Sequence, residues 1–371
     1  MAKSKARGER NFLKSLICVF CGLLILGNCP GSRAGAASGA DTVDPAMPMT
    51  QKLHEILNYG IAAPSSHNAQ MWQAAIVSEN EILVTLDPAH TLPQVDPNDR
   101  EAFISLGAFI ENMVEAAPRY NLAAAVRLLA RQPGDKQIAK LSFAPQAGTP
   151  AAMKAAENIK NRHTLRTPFL KTTLKEADLR RLLSLNRNIA YFPLGSAEGQ
   201  YLQTAIVQAT RQQVADDAKQ RELAGMMRFS KKEAAAKKDG LTPEMMGLSG
   251  IAKWFVSTFF NHDTVMTPSF RKQTVNTVAR QAQNCAGFFI VASPDDSAEA
   301  LLNAGRTLEQ LWIQATAMRI AVHPMSAPLE ESPWQGTIAS KLGIAGKIQM
   351  ILRVGYVKDY GKPVSQRRPL P

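Results

Sequence analysis

Cysteine is nearly absent from the body of this sequence. Three of its four cysteines, Cys18, Cys21 and Cys29, lie within the first 36 residues, and only Cys285 follows. One remaining thiol cannot close an internal disulfide, so the fold must stand on its core. The six histidines show no HxH or HExxH spacing, and a zinc site is not expected. G-x-G-x-x-G after a strand and G-x-x-x-x-G-K-S/T are both missing, which removes the usual nucleotide-binding signatures. Nucleic acid is equally unsupported, because there is no zinc finger, RNP-like aromatic run or base-reading basic helix.

Long apolar runs are scarce as well. The longest candidate, Leu16 to Leu26, has 11 residues, and a span needs about 20. Lys3, Lys5, Arg7, Arg10 and Lys14 precede it and Ala34-Gly35-Ala36 follows, the pattern of a signal peptide over 1–36. The alternative is an uncleaved anchor; acylation at Cys29 is disfavoured by Asn28 before it. No Arg-Arg pair precedes the run, so twin-arginine export is not indicated. The expectation is an exported protein, periplasmic or membrane-associated and facing outward, touching the membrane only through its N-terminal segment. The leader carries +5 of the formal charge of +12, leaving +7 for residues 37–371. That balance favours an anionic ligand or surface.

The rest reads as globular, with 45% hydrophobic and 20% charged residues overall. Thr50–Tyr59 is a helix, and Trp72–Val77 and Glu81–Leu86 form a hairpin around Ser78-Glu79-Asn80. Asp99–Ala117 is an amphipathic helix, followed by strands at 125–130 and 137–143. Pro145 to Pro150 marks a linker between a first unit, 37–150, and a second, 151–371. The second unit reads as helices at 153–161, 174–185, 196–220 and 298–318, with strands at 189–193, 288–292 and 347–356. Between them lies an insert, about 223–270, with lysine pairs at 231–232 and 237–238 and the apolar stretch GIAKWFVSTFF. Inserts of this length are often lids. Trp254, Phe255, Phe259 and Phe260 also allow a membrane- or dimer-contacting patch.

Two stretches concentrate polar chemistry. Ile61–Trp72 reads IAAPSSHNAQMW, so Ser65, Ser66, Asn68 and Gln70 sit on a loop between a helix and a buried strand. Such a set suits a flat polar heterocycle, or simply caps helix ends. Arg162 and Arg166, four residues apart, and Arg367-Arg368 suit an anion such as a phosphate. Ser269 to Lys272 fits the S-x-x-K of penicillin-recognising hydrolases, but K-T-G, S-D-N and G-x-S-x-G are all missing.

In family terms, APSSHNAQMW resembles the APSSxNxQPW loop of the FMN-dependent nitroreductases, especially their two-lobed, Acg-like branch, with Met71 replacing the usual proline. RHTLRTPF (Arg162–Phe169) resembles the family's R-x-S/T-x-R-x-F signature. GRTLEQLWIQATAMRIAVHPMSAPLE (Gly305–Glu330), LRVGY (Leu352–Tyr356) and PVSQRRPL (Pro363–Leu370) continue the match in the family's order. Within the insert, Arg228-Phe229 and Asp239-Gly240-Leu241 meet the branch's RF…DGL lid pattern.

The resemblance implies an α+β fold of two nitroreductase-like lobes, a pseudo-dimer within one chain, each a mixed or antiparallel sheet packed with helices, plus a helical lid. It implies one FMN between lobes, held by Ser65, Ser66, Asn68 and Gln70 at the ring, with Met325 and Ser326 near N5. Arg162, Thr164, Arg166, Arg367 and Arg368 come from the second lobe, the arginines completing the phosphate site. No catalytic acid or base is named. The implied activity passes hydride or electrons through flavin N5 to a nitro, quinone or similar small aromatic acceptor, with NAD(P)H as a candidate donor, in a monomer or homodimer. An exported protein leaves the compartment holding NAD(P)H, so the alternative is a protein that binds or sequesters FMN without turnover.

Overall fold

The computed structural model describes residues 43–370 except Pro45. The leader and its export reading lie outside the described residues.

Two four-stranded antiparallel sheets organise the chain. The first contains β1 (Trp72–Ser78), β2 (Glu81–Leu86), β3 (Leu122–Leu128) and β4 (Gln137–Pro145), in the order β1-β2-β4-β3. The second contains β5 (Ile189–Pro193), β6 (Gly287–Ser293), β7 (Ile320–Pro324) and β8 (Lys347–Tyr356), in the order β5-β6-β8-β7. Strand for strand this is one plan used twice, and in each copy a long helix joins the second strand to the third. The fold is therefore α+β with two antiparallel sheets packed by helices.

The copies differ most at one connection. β1 and β2 meet in a tight hairpin, with Ser78 paired to Glu81. Between β5 and β6 the chain instead makes the helices Ala197–Ala215, Asp217–Met226, Lys231–Lys237, Gly250–Phe259, His262–Val265 and Pro268–Ala282. The lysine-rich insert thus occupies the place of a hairpin turn.

The two long helices form the centre. Arg100–Ala116 buries 13 of its 17 residues, and Ala298–Ala317 buries 13 of 20. A helix buried nearly all round belongs inside a protein. They touch each other at Gly107 and Gly305. A Cβ on Gly107 would lie 2.1 Å from the Leu302 carbonyl oxygen, and one on Gly305 would lie 2.0 Å from that of Ile104. Backbone therefore rests on backbone, and only glycine permits it.

The structure departs from the sequence reading at several elements. The helix expected over 196–220 is two, because Asp216 breaks it with extended backbone (φ −77°, ψ 116°) and accepts from the N–H groups of Ala218 and Lys219. That arrangement is an N-cap in mid-run. β7 and the helix Trp334–Lys341 have no counterpart in the reading. β7 is only five residues, IAVHP, directly after a helix, and so short a run shows neither period.

Gly107→Ala is expected to lower stability by about 3 kcal/mol, the upper range for overpacking. Gly225→Ala, whose Cβ meets nothing within 4 Å, should leave the melting temperature level or raised. Thermal unfolding of both variants checks the contact, and equal melting temperatures would exclude it.

Candidate active site

The loop after the first helix does not follow ordinary backbone preferences. His67, Asn68 and Gln70 have φ of 50°, 57° and 58°, left-handed values that cost a non-glycine residue about 1–2 kcal/mol each. The Ser65 hydroxyl accepts from the Gln70 N–H at 3.0 Å, and Gln70 Nε2 donates to the Lys238 carbonyl at 2.8 Å. Asn68 Nδ2 donates to the Gly240 carbonyl at 3.1 Å, while the Gly240 N–H donates back to the Asn68 carbonyl at 3.2 Å. The C-terminal tail closes the clamp. Arg367 donates to the Asn68 amide oxygen and, at 3.1 Å, to the Ala63 carbonyl. Arg368 donates to the carbonyls of Ala69 (2.7 Å) and Gln70 (2.6 Å) and pairs with Asp239 at 3.1 Å.

RHTLRTPF is extended, not helical. The Leu165 N–H donates to the Val322 carbonyl at 3.1 Å and the Leu165 side chain enters the core. In extended backbone alternate side chains point opposite ways, so Thr164 and Arg166 face away from that core. Arg353, fully buried on β8, holds the segment from beneath. Its guanidinium stacks 3.6 Å from the Phe169 ring centroid and donates to the Thr167 and Asn284 carbonyls.

These two segments meet at a cavity of about 290 Å³. Ser65, Ser66 and His67 line it from the loop, Thr164 and Arg166 from the extended segment, and Ser326 from beyond β7. Glu101, Ile104 and Ser105 enter from one central helix and Leu308 and Trp312 from the other. Lys219, Gln220 and Leu223 come from the helix that opens the insert, and Glu330 closes the ring.

The other expected site residues lie behind this wall. Asn68, Gln70, Arg367 and Arg368 form the clamp. Arg162 lies over the Trp312 ring at 4.7 Å, donates to the Ala62 carbonyl at 2.5 Å and places Nε 2.9 Å from Glu309 Oε1. The last contact is a charge pairing without hydrogen-bond alignment, since neither atom has a hydrogen-bond partner. The backbone N–H of Met325 is committed to the Ile351 carbonyl at 2.8 Å.

Glu101 and Glu330 were not singled out in the sequence, because a carboxylate on a helix face or at a strand end carries no signal of its own. Here their carboxyls hydrogen-bond to each other, Ser66 and Gln213 donate to them, and Arg100 pairs with Glu101 at 2.8 Å. Burial, and then the charge of Glu101, push Glu330 well above the usual carboxylate range. Burial acts on Glu101 too, but Arg100 and the hydrogen bonds from Glu330 and Ser66 hold it below its ordinary value. The two carboxyls are therefore driven apart, Glu330 toward its protonated form and Glu101 toward its charged one. Asp96 beside them rises to about 6, chiefly by burial. Burial, reinforced by Arg166, lowers the His67 imidazole and keeps it neutral. Arg166 itself falls to about 10 by burial and stays charged at neutral pH. The cavity thus has a cationic side at Arg166 and an acidic side at Glu101 and Glu330. Two polar atoms in its wall, His67 Nδ1 and Trp312 Nε1, have no hydrogen-bond partner among the described residues.

A family model described as the Nitroreductase family matches residues 159–356. "Probable NAD(P)H nitroreductase PigM" of a Serratia species is 26% identical over 336 residues, 85% of this chain and 91% of its own. A relative from Mycobacterium tuberculosis with an NAD(P)H nitroreductase description is 21% identical over 318 residues, 88% of its own length. Among solved structures, the FMN-dependent nitroreductase NfnB of Mycobacterium smegmatis, in complex with NADPH, is similar to 56% of this chain and 90% of its own, with 16% identity and a TM-score of 0.35.

The buried carboxyls make stability depend on pH with a definite sign. A carboxyl raised on folding binds more protons in the native state than in the unfolded chain, so its contribution is full below pH about 4 and is lost as pH rises. Glu330 acts in this direction, as do Asp96 and also Glu309 and Glu115, both raised to about 7. His67, His163 and His323 are lowered and act oppositely, but their change is complete by pH about 6.5. Melting temperature should therefore fall between about pH 6.5 and 8, and Glu330→Gln should flatten that fall. An unchanged slope in the variant would remove Glu330 from the account.

Proposed function

This chain belongs to the nitroreductase family, and from that premise we propose that it binds FMN in the cavity where the loop Ile61–Trp72 meets the extended segment Arg162–Phe169 and works as a flavin oxidoreductase. What carries the reading is convergence: Ser65, Ser66 and His67 from the first half and Thr164, Arg166 and Ser326 from the second line one cavity. The donor set fits the group. A flavin ring offers carbonyl oxygens, ring nitrogens and an N–H, and the wall presents a charged guanidinium, hydroxyls and the unpartnered Trp312 Nε1 and His67 Nδ1.

In this reading Arg166 holds the polar edge of the ring and stabilises negative charge on it. Ser65, Ser66 and Thr164 orient the same edge or the chain leading to the phosphate. Arg162 and Arg367 support that end from behind the loop, through the carbonyls of Ala62 and Ala63. When bound, FMN supplies two-electron transfer. Burial and the charge of Glu101 favour the protonated form of Glu330 at the cavity wall. Trp312 and Leu308 keep water from that side. Met245 in the insert accepts a hydrogen bond from Arg166 at 2.7 Å, and Lys238 and Gly240 are pinned to the loop. We take the insert as a lid closed over the site.

The reading takes a reduced nicotinamide as donor, supported by the descriptions of the relatives, and a small nitroaromatic or quinone as acceptor. The location it takes, outside the cytosol, rests on the leader sequence.

The purified protein should bind FMN and quench its fluorescence, and Arg166→Gln should weaken binding by about 10- to 100-fold, the value of a charge-assisted hydrogen bond. Unchanged affinity in a folded variant would remove Arg166 from the site. The loaded protein should oxidise NADPH in the presence of a nitroaromatic or quinone faster than free FMN does. Tight FMN binding with no such oxidation would assign it the holding role instead.

A further inference from the structure

One element of the insert has no part in the cavity. The helix Gly250–Phe259, GIAKWFVSTF, has a single charged residue, Lys253, and not one buried residue. Its inner side is attached through Val256, with Phe260 just beyond its end, to a small cluster of Ala224, Met227, Phe229, Leu241 and Val265. Its outer side is apolar and faces water: Ile251, Trp254 and Phe259 are 67%, 59% and 54% exposed. Trp254 and Phe259 pack edge to face at 5.9 Å, so the exposed rings form one continuous surface. Contiguous apolar surface of this kind marks a contact site.

The charge beside it indicates the partner. Three of the four acidic groups of the insert are paired with neighbouring cations, Asp239 with Arg228 and Arg368, Glu233 with Arg228, and Glu244 with Lys253, while Asp263 is exposed and makes no ion pair among the described residues. Lys231, Lys232, Lys237 and Lys238 are exposed and make no ion pair among the described residues. Lys231 lies close enough to Glu244 to depress its carboxyl, and Glu244 pairs with Lys253 at 2.6 Å. One further lysine, Lys253, sits on the aromatic helix itself.

We propose that this helix docks flat on an anionic lipid surface, with Ile251, Trp254 and Phe259 at the headgroup–acyl boundary and the four lysines against lipid phosphates. Amphipathic aromatic helices flanked by lysine bind in this way. At about 1.5 Å per residue the helix reaches only half of a bilayer core, so it lies on the membrane and does not cross it. No helix among the described residues is long and apolar enough to cross. A second copy fits less well, because a two-fold contact would bring the same lysines face to face. The proposal does not depend on the cofactor or the reaction.

The test is flotation of the full-length protein with phosphatidylglycerol-containing vesicles and with pure phosphatidylcholine vesicles. The leader is then common to every variant. Wild type should bind the anionic vesicles at least tenfold more tightly, and Ile251→Ser/Trp254→Ser/Phe259→Ser, with an unchanged melting temperature, should lose at least tenfold. Replacing the four lysines with glutamine should remove the anionic preference, about fivefold per lysine. Brominated lipid should quench tryptophan emission in wild type and not in Trp254→Phe. Equal binding by wild type and the triple variant, or equal quenching with and without Trp254, would overturn the proposal. So would a dimer seen by ultracentrifugation that the triple variant abolishes while neither protein binds vesicles.

Discussion

The contact between Gly107 and Gly305 governs the rest of the molecule. With no side chain between them, the two central helices approach until each backbone meets the other's carbonyl oxygens. This sets where Glu101, Ile104 and Ser105 stand relative to Leu308 and Trp312, and those residues are two walls of the cavity. A larger residue at either glycine would separate the halves along with the walls. The site is therefore a consequence of how two helices cross, before any loop is considered.

Around that axis the chain uses one strand order twice and breaks the symmetry mainly at one connection. A tight turn joins β1 to β2, whereas the corresponding connection carries six helices, some of which cover the cavity and one of which faces outward. The loop Ile61–Trp72 shows the cost of building it. Three non-glycine residues in left-handed backbone disfavour the conformation by about 3–6 kcal/mol together. Arg367 and Arg368 return from the far end of the chain to hold the loop's carbonyls, and hydrogen bonds to charged groups contribute about 1.5–3 kcal/mol each. The strain and the clamp are of the same size, so the loop keeps its shape only while the tail is in place.

Electrostatically the cavity is neither uniformly basic nor uniformly acidic. Arg166 and the Glu101–Glu330 pair stand on different parts of one wall, and burial is the main force on both, lowering the one and raising Glu330. Such a site favours a neutral ligand portion whose acceptors face the guanidinium and whose donors face the acids.

Much was legible in the sequence. The α+β class, the hairpin Trp72–Leu86, the strand Ile189–Pro193 and both central helices follow from periodicity and turn chemistry, which are local. The polar loop and RHTLRTPF were visible as motifs, so Ser65, Ser66, Thr164, Arg166 and Ser326 could be nominated in advance, and all five line the cavity. What a motif cannot show is which way its members point. Arg162 turns to Glu309 and Trp312, and Asn68, Gln70, Arg367 and Arg368 turn to one another, because their partners lie 100 or more residues away in sequence. Glu101 and Glu330 escaped notice for a related reason: a carboxyl's proton affinity depends on its burial and neighbours, and neither is encoded within a few residues of it. The amino-acid order alone determined the elements and the candidate chemistry. Only the tertiary structure decided which side chains face the cavity and which hold it open, because that choice is made by contacts between segments far apart in the chain.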